Sequence, residues 1–495
     1  MRLILPLPLR RFLLGRLLLP VTLASVSSGA EFVVDAAQAT NPGQHVYNTL
    51  QELSDSGALS SGDTVILHND DSSLTGGLPV TVNFRSNDPD IFRTIDLAGL
   101  QSEQGLYNNY AQPSGGEKLE LNSIRLVNSV ACIIRPMRYA GQIGLDSISF
   151  GDGATFAGNS LSSIGYCQGG VIDSFQQGIS YTFGDDVGVH NNHIVGSDGY
   201  ACGAFISIFG GSVAFGDRAS FSGNYVSSNS GSVWGGVINA TGGASCTIGT
   251  EAQFSGNYAS SNSGDSSGGA VFFQDDGFTI GDRAIFTDNY ASSNSGDSSG
   301  GAVFIEGYMA RLTIGTEARF FWNYASSNSG DGLGGAVFVG VSSSGLTFSD
   351  GATFLGNYAK TAGGAIAISA GKLDLLALTK DVLFLGNMTG GALTLHDNGT
   401  IFQVENGIAN AINFEGRDTT LTLAAAQGRE VRFYDPITSR NESPYRPLTL
   451  TLNRYADEEG KIHDTDGTII FSGTFYQGEE EHLVASRYSN FLADT

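Results

Sequence analysis

Short apolar runs alternate with polar turns along most of the chain, and the spacing of the apolar positions is that of β-strands. Residues 278–280 form a β-rich run that stops at Gly281. In the next run, Ala284 and Phe286 are two residues apart, so they share one face of a strand. Asn289 then marks a turn, because asparagine tolerates left-handed backbone and bonds locally.

The unit continues with a polar loop over residues 290–299, a bend at Gly300 and Gly301, and a second apolar run over residues 302–305. This pattern predicts two or three short strands per unit, separated by turns. Stacked units would place equal positions in ladders along one axis.

The unit recurs about every 33 residues between Phe156 and Asn387. A decayed eighth copy has Val189 at the phenylalanine position and Asn192 at the asparagine position. The phenylalanines of the seven other copies are Phe156, Phe221, Phe254, Phe286, Phe320, Phe354 and Phe384. The asparagines of these seven copies are Asn159, Asn224, Asn257, Asn289, Asn323, Asn357 and Asn387. So constant a period predicts a solenoid. We expect an all-β fold, a right-handed parallel β-helix with an N-terminal capping region.

Four segments are expected. Residues 1–30 have the basic start, apolar stretch and small-residue end of a signal peptide. Residues 31–143 are expected to form the N-terminal cap and first coils, including a helix within residues 45–59 that covers the open end. Residues 144–395 are the repeat β-helix, and residues 396–495 a β-rich continuation of it.

The charge composition limits the classes of molecule that the chain is expected to bind. Acidic residues outnumber basic ones 49 to 25, and removing residues 1–30, with four arginines and no acid, deepens the net charge from −24 to −28. Such a charge disfavours nucleic acid and anionic lipid. No later segment approaches the roughly 18 apolar residues of a membrane helix, so we expect an exported chain without a direct membrane span.

Two cysteines fall near the same place in successive units. Cys167 and Cys202 would then be close enough for a disulfide, since stacked strands lie about 4.8 Å apart. The other interpretation is a pair of buried thiols, and the spacing is not that of a zinc site.

The alternation of F-x-x-N with G-G-A-[I/L/V] resembles the chlamydial polymorphic outer membrane protein family. Residues 433–437 and 467–473 are similar to segments that follow the repeats in that family. The resemblance implies an autotransported β-helical passenger that adheres to host cells through a surface receptor, with the repeat motifs associated with adhesion. The matching glycine motifs are Gly268-Gly269-Ala270, Gly300-Gly301-Ala302, Gly334-Gly335-Ala336, Gly363-Gly364-Ala365 and Gly390-Gly391-Ala392. Family members continue into a C-terminal outer-membrane barrel, and we expect none within this chain.

Enzymatic chemistry is the main competing hypothesis, because β-helices also host polysaccharide lyases and hydrolases. Asp185 and Asp186 with His190 and His193 superficially resemble such a site. Asp185, however, falls where the repeat places a turn residue in other units, so we predict no catalytic site. A calcium loop over residues 262–269 is disfavoured because the motif repeats at the wrong period. We expect no cofactor and no metal.

The sequence therefore predicts a non-enzymatic adhesin or antigen, secreted or at the bacterial surface, with a host-cell receptor and further passenger chains as partners. A truncated, inactive antigenic variant is the third alternative. If the motifs shape the rod and the loops make contact, Phe286→Ala should lower thermal stability and adhesion together. Scrambling residues 292–299 should lower adhesion at an unchanged melting temperature.

Overall fold

The computed structural model describes most of the repeat region and parts of both ends. The described ranges are 30–34, 38–48, 52–53, 56–58, 64–67, 81–84, 118–121, 125–127, 147–163, 165–174, 178–274, 277–307, 310–340, 345–396, 401–416, 419–439, 448–457, 459–471, 476–477, 485–486 and 491–493. The predicted signal peptide lies outside these ranges except for Ala30.

The described chain is a parallel β-helix, as the repeat predicted. One coil consists of the strands Gly277–Ile280, Ile285–Thr287, Tyr290–Ser293, Ser298–Ser299 and Val303–Glu306. We name the five sheets that they belong to, in that order, the Thr sheet, the Phe sheet, the Tyr sheet, the bridging sheet and the GGA sheet. The prediction of two or three strands per coil was too low, because the polar segment taken as a loop folds into two further strands.

The Phe sheet and the Thr sheet run along most of the molecule. The Phe sheet contains Glu31–Val34, Val46–Tyr47, Thr64–Leu67, Thr81–Phe84, Arg125–Val127, Thr155–Ala157, Gly188–His190, Ser220–Ser222, Gln253–Ser255, Ile285–Thr287, Arg319–Phe321, Thr353–Leu355, Val382–Leu385, Glu430–Phe433, Thr468–Phe471 and Phe491–Ala493. The Thr sheet contains Lys118–Leu121, Ser147–Phe150, Ser180–Phe183, Ser212–Phe215, Ser245–Ile248, Gly277–Ile280, Arg311–Thr316, Gly345–Asp350, Lys372–Ala377, Thr420–Ala425, Thr449–Leu452 and Ala485–Ser486.

The other three sheets are shorter. The GGA sheet contains Ile172–Ser174, Ile206–Phe209, Ile238–Thr241, Val271–Gln274, Val303–Glu306, Val337–Val339, Ile366–Ile368, Ile412–Phe414, Ile437–Ser439 and Tyr476–Gln477. The Tyr sheet contains Ser160–Ser163, His193–Gly196, Tyr225–Ser228, Tyr258–Ser261, Tyr290–Ser293, Tyr324–Ser327, Tyr358–Ala359, Met388–Thr389 and Ile408–Ala409. The bridging sheet contains Cys167–Gln168, Ala201–Cys202, Val233–Trp234, Ser266–Ser267, Ser298–Ser299 and Gly332–Leu333.

Equal positions of successive coils pair in parallel. Phe286, for example, lies opposite Phe254 on one side and Phe320 on the other. The decayed copy keeps this register, since Val189 pairs with both Phe156 and Phe221. Alternate residues of each strand point inward, and the main hydrophobic core fills the interior of the stack. Each wholly buried phenylalanine contributes about 1.5–3 kcal/mol by leaving water.

The N-terminal end differs from the expectation of a helix within residues 45–59. Val46–Tyr47 is a strand, pairs in parallel with Glu31–Val34, and forms the outer end of the Phe sheet. Helical backbone occurs at Glu52 and Leu53, and Leu53 is buried. A short 3₁₀ turn spans Pro42–Gln44. Some of the apolar residues in this segment therefore belong to a strand that extends the Phe sheet.

Two antiparallel hairpins leave the stack in its C-terminal part. One joins Ala392–His396 to Ile401–Glu405, and the other joins Arg454–Ala456 to Ile462–Asp464. Within the ranges given above, no helix has the length and hydrophobicity needed to cross a lipid bilayer.

Candidate functional site: a groove along the Tyr sheet

The phenylalanine motif builds an interior column. All seven phenylalanines named above are wholly buried, and consecutive rings stack with centroids 4.4–5.0 Å apart from Phe221 to Phe384. The column continues through Phe433 and Phe471, at 4.8 and 5.3 Å. These last two members lie outside the predicted motif because the F-x-x-N spacing ends at Asn387, although a phenylalanine still follows a β-rich run.

The asparagine motif builds a second interior column, at the turn between the Phe and Tyr sheets. The Asn289 Oδ1 accepts hydrogen bonds from the backbone N–H (3.1 Å) and the Nδ2 (2.9 Å) of Asn257. The Asn289 Nδ2 donates to the carbonyl of Phe254 at 2.9 Å and to the Asn323 Oδ1 at 3.0 Å. Asn192, from the decayed copy, makes the same set of bonds. The carboxamides thus hold successive coils together.

The asparagine column ends on a carboxylate. Asp435 accepts hydrogen bonds from the backbone N–H of Gly386 (3.0 Å) and of Asn387 (2.8 Å), and from the Nδ2 of Asn387 (2.8 Å). Burial raises the pKa of Asp435, and these donors partly oppose that shift. An acceptor suits this position because the last asparagine still has donors to satisfy.

The glycine pairs are as inaccessible as the columns. Gly268 adopts a φ of +67°, and a Cβ on Gly269 would collide with the carbonyl oxygen of Gly301. The alanine of the motif is wholly buried in four of the five copies. In the fifth copy, Gly391 and Ala392 are exposed, because the chain leaves the stack there and enters the first hairpin. This copy shares the sequence motif of the other four but not their burial.

The carboxylates of the enzyme-like cluster serve the coil. The Asp185 Oδ1 accepts the backbone N–H of Asp217 at 2.9 Å, in the same turn position in which Asp217 itself accepts a backbone N–H from the next coil. Asp186 forms an ion pair with Arg218 at 2.7 Å, and this hydrogen bond lowers the pKa of Asp186. Both aspartates therefore have structural partners.

The two histidines of that cluster each contact a residue of the next coil. The His190 Nδ1 is 2.8 Å from the Ser222 Oγ, and burial lowers the pKa of His190. His193 stacks on Tyr225 with ring centroids 4.8 Å apart. In the described part of the chain, no group of three or more His, Cys, Asp or Glu side chains is arranged to hold a metal ion.

The register explains why Cys167 and Cys202 are not joined in a disulfide. Cys167 pairs with Ala201, and Cys202 pairs with Gln168, so the two cysteines are offset by one residue. Side chains one residue apart point to opposite faces of a strand. Both thiols are buried, and burial raises the pKa of Cys202 to about 12.

The outer face of the Tyr sheet carries the most regular exposed chemistry. Tyr225, Tyr258, Tyr290 and Tyr324 stack face to face, 4.6–4.7 Å apart and within 4° of parallel. Two residues further along each strand, a half-buried serine points to the same side. These outward serines are Ser227, Ser260, Ser292 and Ser326. The Ser292 Oγ donates to the Ser260 Oγ at 3.1 Å.

The next serine of each strand has a structural role. The buried Ser293 Oγ donates to the carbonyl of Gly264 at 2.7 Å and accepts the backbone N–H of Gly296 at 2.9 Å. A Cβ on Gly296 would collide with the backbone of Gly264. Scrambling residues 292–299 would therefore disrupt the turn, and the expected unchanged melting temperature does not follow from this structure.

A groove of about 830 Å³ runs along this face, parallel to the axis. Besides the outward serines, its lining includes Tyr290, Tyr324, Tyr358, Asn229, Asn262, Asn294, Asn328, Lys360 and Leu393. Asn262, Asn294 and Asn328 each donate to the asparagine of the preceding coil, at 2.6–3.2 Å. The groove is thus lined by hydroxyl and carboxamide groups that repeat from coil to coil.

The C-terminal end of the groove has a different lining from the rest. Lys360 occupies the row of outward serines, and its Nζ donates to the carbonyls of Asn328 and Gly330, both at 2.9 Å. Among the described residues that line the groove, Lys360 is the one with a charge. Gly391 and Leu393, at the start of the hairpin, line the groove beside Tyr324 and Tyr358, which are almost fully buried.

The stacked tyrosines of the Tyr sheet are neutral at physiological pH. Burial is the main cause that raises the pKa of Tyr258 to about 12, and the neighbouring Tyr225 adds to the rise. Burial is also the main cause of the raised pKa of Tyr290 and of Tyr324. The phenols are therefore hydrogen-bond donors as well as acceptors at physiological pH.

Comparison with known proteins gives matches of one kind. "Probable outer membrane protein pmp8" of Chlamydia pneumoniae is 36% identical over 119 residues, which are 24% of this chain and 11% of that protein. "Probable outer membrane protein pmp13" of the same species is 39% identical over 116 residues, 22% of this chain and 10% of that protein. "Probable outer membrane protein PmpG" of Chlamydia muridarum is 38% identical over 105 residues, 20% of this chain and 10% of that protein.

The match to each of these relatives covers about a tenth of the relative's length. No family model matches the chain. No solved structure matches it either.

The fold is a β-solenoid in which the repeat motifs form the interior framework and a polar groove runs along the outer face of the Tyr sheet. The chain is related to the chlamydial polymorphic outer membrane protein family, as its motifs predicted. The names of its relatives support a location at the outer membrane or the cell surface.

Proposed function

We propose that this chain is the β-helical passenger of a surface protein that attaches to host cells without enzymatic activity. Two observations support the proposal: the relationship to proteins named as outer membrane proteins, and the regular polar groove on the Tyr sheet. The groove repeats one set of side chains over consecutive coils, as expected of an extended solenoid binding surface.

The observation that carries the proposal is the division between inward and outward positions. Phe286, Asn289 and Gly300 of the repeat motifs are buried, so they have no surface to offer a receptor. Tyr290 and Ser292, only a few residues further along the same coil, line the groove. Adhesion would therefore depend on the motifs indirectly, through the shape of the rod.

The non-enzymatic part of the proposal is supported by the partners of the enzyme-like residues. Asp185 accepts a backbone N–H in a turn, Asp186 is paired with Arg218, and His190 contacts Ser222. A general acid or base must be within hydrogen-bond reach of a substrate, and these groups are engaged along the coil stack instead.

Binding of the labelled full chain to cultured epithelial cells tests the proposal. We expect a groove variant, Ser260→Ala, Ser292→Ala and Ser326→Ala combined with Tyr290→Phe, to bind at least about tenfold more weakly, the effect of losing roughly 1.4 kcal/mol. Its melting temperature should stay close to that of the parent, because the tyrosine ring stack and the buried Ser293 are kept.

The matched control removes outward hydroxyls from another face. Thr247, Thr279 and Thr313 lie in one row on the outer side of the Thr sheet, and their alanine variants should bind cells like the parent. Phe286→Ala should lower stability by about 3–5 kcal/mol and adhesion with it. Undiminished cell binding by the folded groove variant would refute the proposal.

A further inference from the structure

The groove on the Tyr sheet has a repeat that constrains its occupant. Equivalent positions on its floor are Val195, Ser227, Ser260, Ser292 and Ser326, followed by Lys360. They belong to six successive coils, about 4.8 Å apart, so the groove offers its chemistry over roughly 24 Å. A ligand that matches it is linear and lies along the axis.

The chemistry of the lining points to a partner rich in hydroxyl groups. Serine and tyrosine hydroxyls and asparagine carboxamides each donate and accept hydrogen bonds. The Ser292 and Ser260 hydroxyls lie 3.1 Å apart, and Asn294 and Asn262 repeat the same spacing on the groove wall. Sugar hydroxyls also donate and accept, and a row of them can bridge successive pairs of such groups.

Charge excludes the acidic polysaccharides. The chain has a formal net charge of −24, which repels polyanions over distances of about a Debye length. The one lysine of the groove, Lys360, already donates to the carbonyls of Asn328 and Gly330. The lining therefore lacks the array of cations that a sulfated or uronic acid polymer requires.

An extended peptide fits the repeat poorly. A β-strand advances by about 3.3–3.4 Å per residue, whereas the coils advance by about 4.8 Å. The backbone groups of the Tyr sheet strands already pair with neighbouring strands, so the floor offers no free sheet edge to a peptide. A pyranose ring in an extended glycan advances by about the thickness of one coil.

We propose that this groove binds an unbranched, uncharged oligosaccharide, laid parallel to the solenoid axis with about one sugar ring per coil. The inference rests on the proposed function, because it names the class of molecule that the adhesive surface recognises. Tyr290 lines the groove, and the outward serines form its floor.

Isothermal titration of the full chain with defined sugars tests the inference. The probes are cellohexaose and chitohexaose, their two- and four-ring homologues, and hexagalacturonate as the acidic counterpart. We expect at least one neutral hexasaccharide to bind, at least tenfold more tightly than its disaccharide, with affinity rising up to about six rings because the groove spans six coils. Hexagalacturonate should bind more weakly than the neutral hexasaccharide that binds best.

The groove variant and the Thr sheet variant defined above serve as the test pair. The first should lose at least tenfold in affinity for the hexasaccharide, and the second should match the parent. The inference is overturned if neither neutral hexasaccharide binds, if affinity is independent of length, if hexagalacturonate binds best, or if the groove variant binds unchanged.

The two proposals fail in different ways. If the parent binds cells through the groove but no neutral hexasaccharide, the glycan inference falls and the adhesive function stands. If it binds the hexasaccharide but no cells, the adhesive function falls. A groove variant that changes only the self-association of the chain, measured by analytical ultracentrifugation, would show that the groove receives a second copy and overturn the glycan inference.

Discussion

Two columns of asparagine run along this solenoid, one inside it and one on its surface. The inner column contains Asn257, Asn289 and Asn323, and the outer column contains Asn262, Asn294 and Asn328. Side-chain hydrogen bonds between coils have similar lengths in both, 2.9–3.0 Å inside and 2.6–3.1 Å outside for these residues. Inside, the Nδ2 donates to the asparagine of the next coil, and outside it donates to the asparagine of the preceding coil.

The comparison shows that the same stacked residue has different consequences in different surroundings. An inner carboxamide replaces water for backbone groups that are buried, such as the Phe254 carbonyl, and its removal leaves them unsatisfied. The outer carboxamides are exposed, so water can take over any bond that is lost. The inner column therefore holds the coils together, whereas the outer column shapes a surface.

The largest expected effect is the difference in stability between two substitutions, one in the inner column and one in the outer column. Asn289→Ala removes the acceptor of two Asn257 donors and one donor to Phe254, and we expect a loss of about 3–5 kcal/mol of unfolding free energy. Asn294→Ala should cost less than about 0.5 kcal/mol. Urea unfolding followed by circular dichroism measures both, and similar losses in the two variants would break the distinction.

A smaller effect is expected at alkaline pH. The pKa of Tyr258 is raised to about 12 by burial, so folding favours the neutral phenol. Its contribution to stability is complete below the unfolded pKa of about 10 and is lost as the pH rises towards 12. The melting temperature of the parent should fall about 2–4 °C further between pH 9 and 12 than that of the Tyr258→Phe and Tyr290→Phe double variant.

The smallest effect concerns Asp288, which has a φ of +56° where the preceding coil has Gly256 and the next coil has Trp322. Burial raises the pKa of Asp288 to about 6, so its stabilising contribution is present below about pH 4 and lost as the pH rises through 6. Asp288→Gly should therefore stabilise the chain by about 0.5–1 kcal/mol, and more at pH 8 than at pH 4.

The reverse change in the neighbouring coil is the control. Gly256→Asp has open space for its Cβ, so it isolates the backbone and charge effects and should destabilise by a similar amount. A stabilising Gly256→Asp, or an Asp288→Gly gain that does not depend on pH, would contradict this explanation.

The interior could be predicted from the sequence because burial constrains it. Phe286 and Asn289 recur since a ring and a carboxamide must meet their equivalents in each coil, and even Val189 keeps the register. The groove could not be predicted in this way. Residues 292–299 are small and polar, and these properties are shared by a solvated loop and by a strand with outward hydroxyls.

The C-terminal end of the repeat region shows a second limit of prediction from the sequence. Asp435 completes the asparagine column from a different spacing, and Gly391 opens into a hairpin despite its matching motif. Both depend on which coil comes next in space, and that information is not contained in the local pattern. Likewise, a one-residue offset between Cys167 and Cys202 separates their side chains, although their sequence positions nearly match.

The alternation within the strand Tyr290–Ser293 is the central claim, and thiol labelling tests it most directly. Ala291 is wholly buried and Ser292 lines the groove, so Ser292→Cys should react with a thiol reagent in the native chain, and Ala291→Cys only after unfolding. The parent, which has Cys132 in addition to the buried Cys167, Cys202 and Cys246, gives the baseline. Equal native reactivity of the two variants would contradict the account.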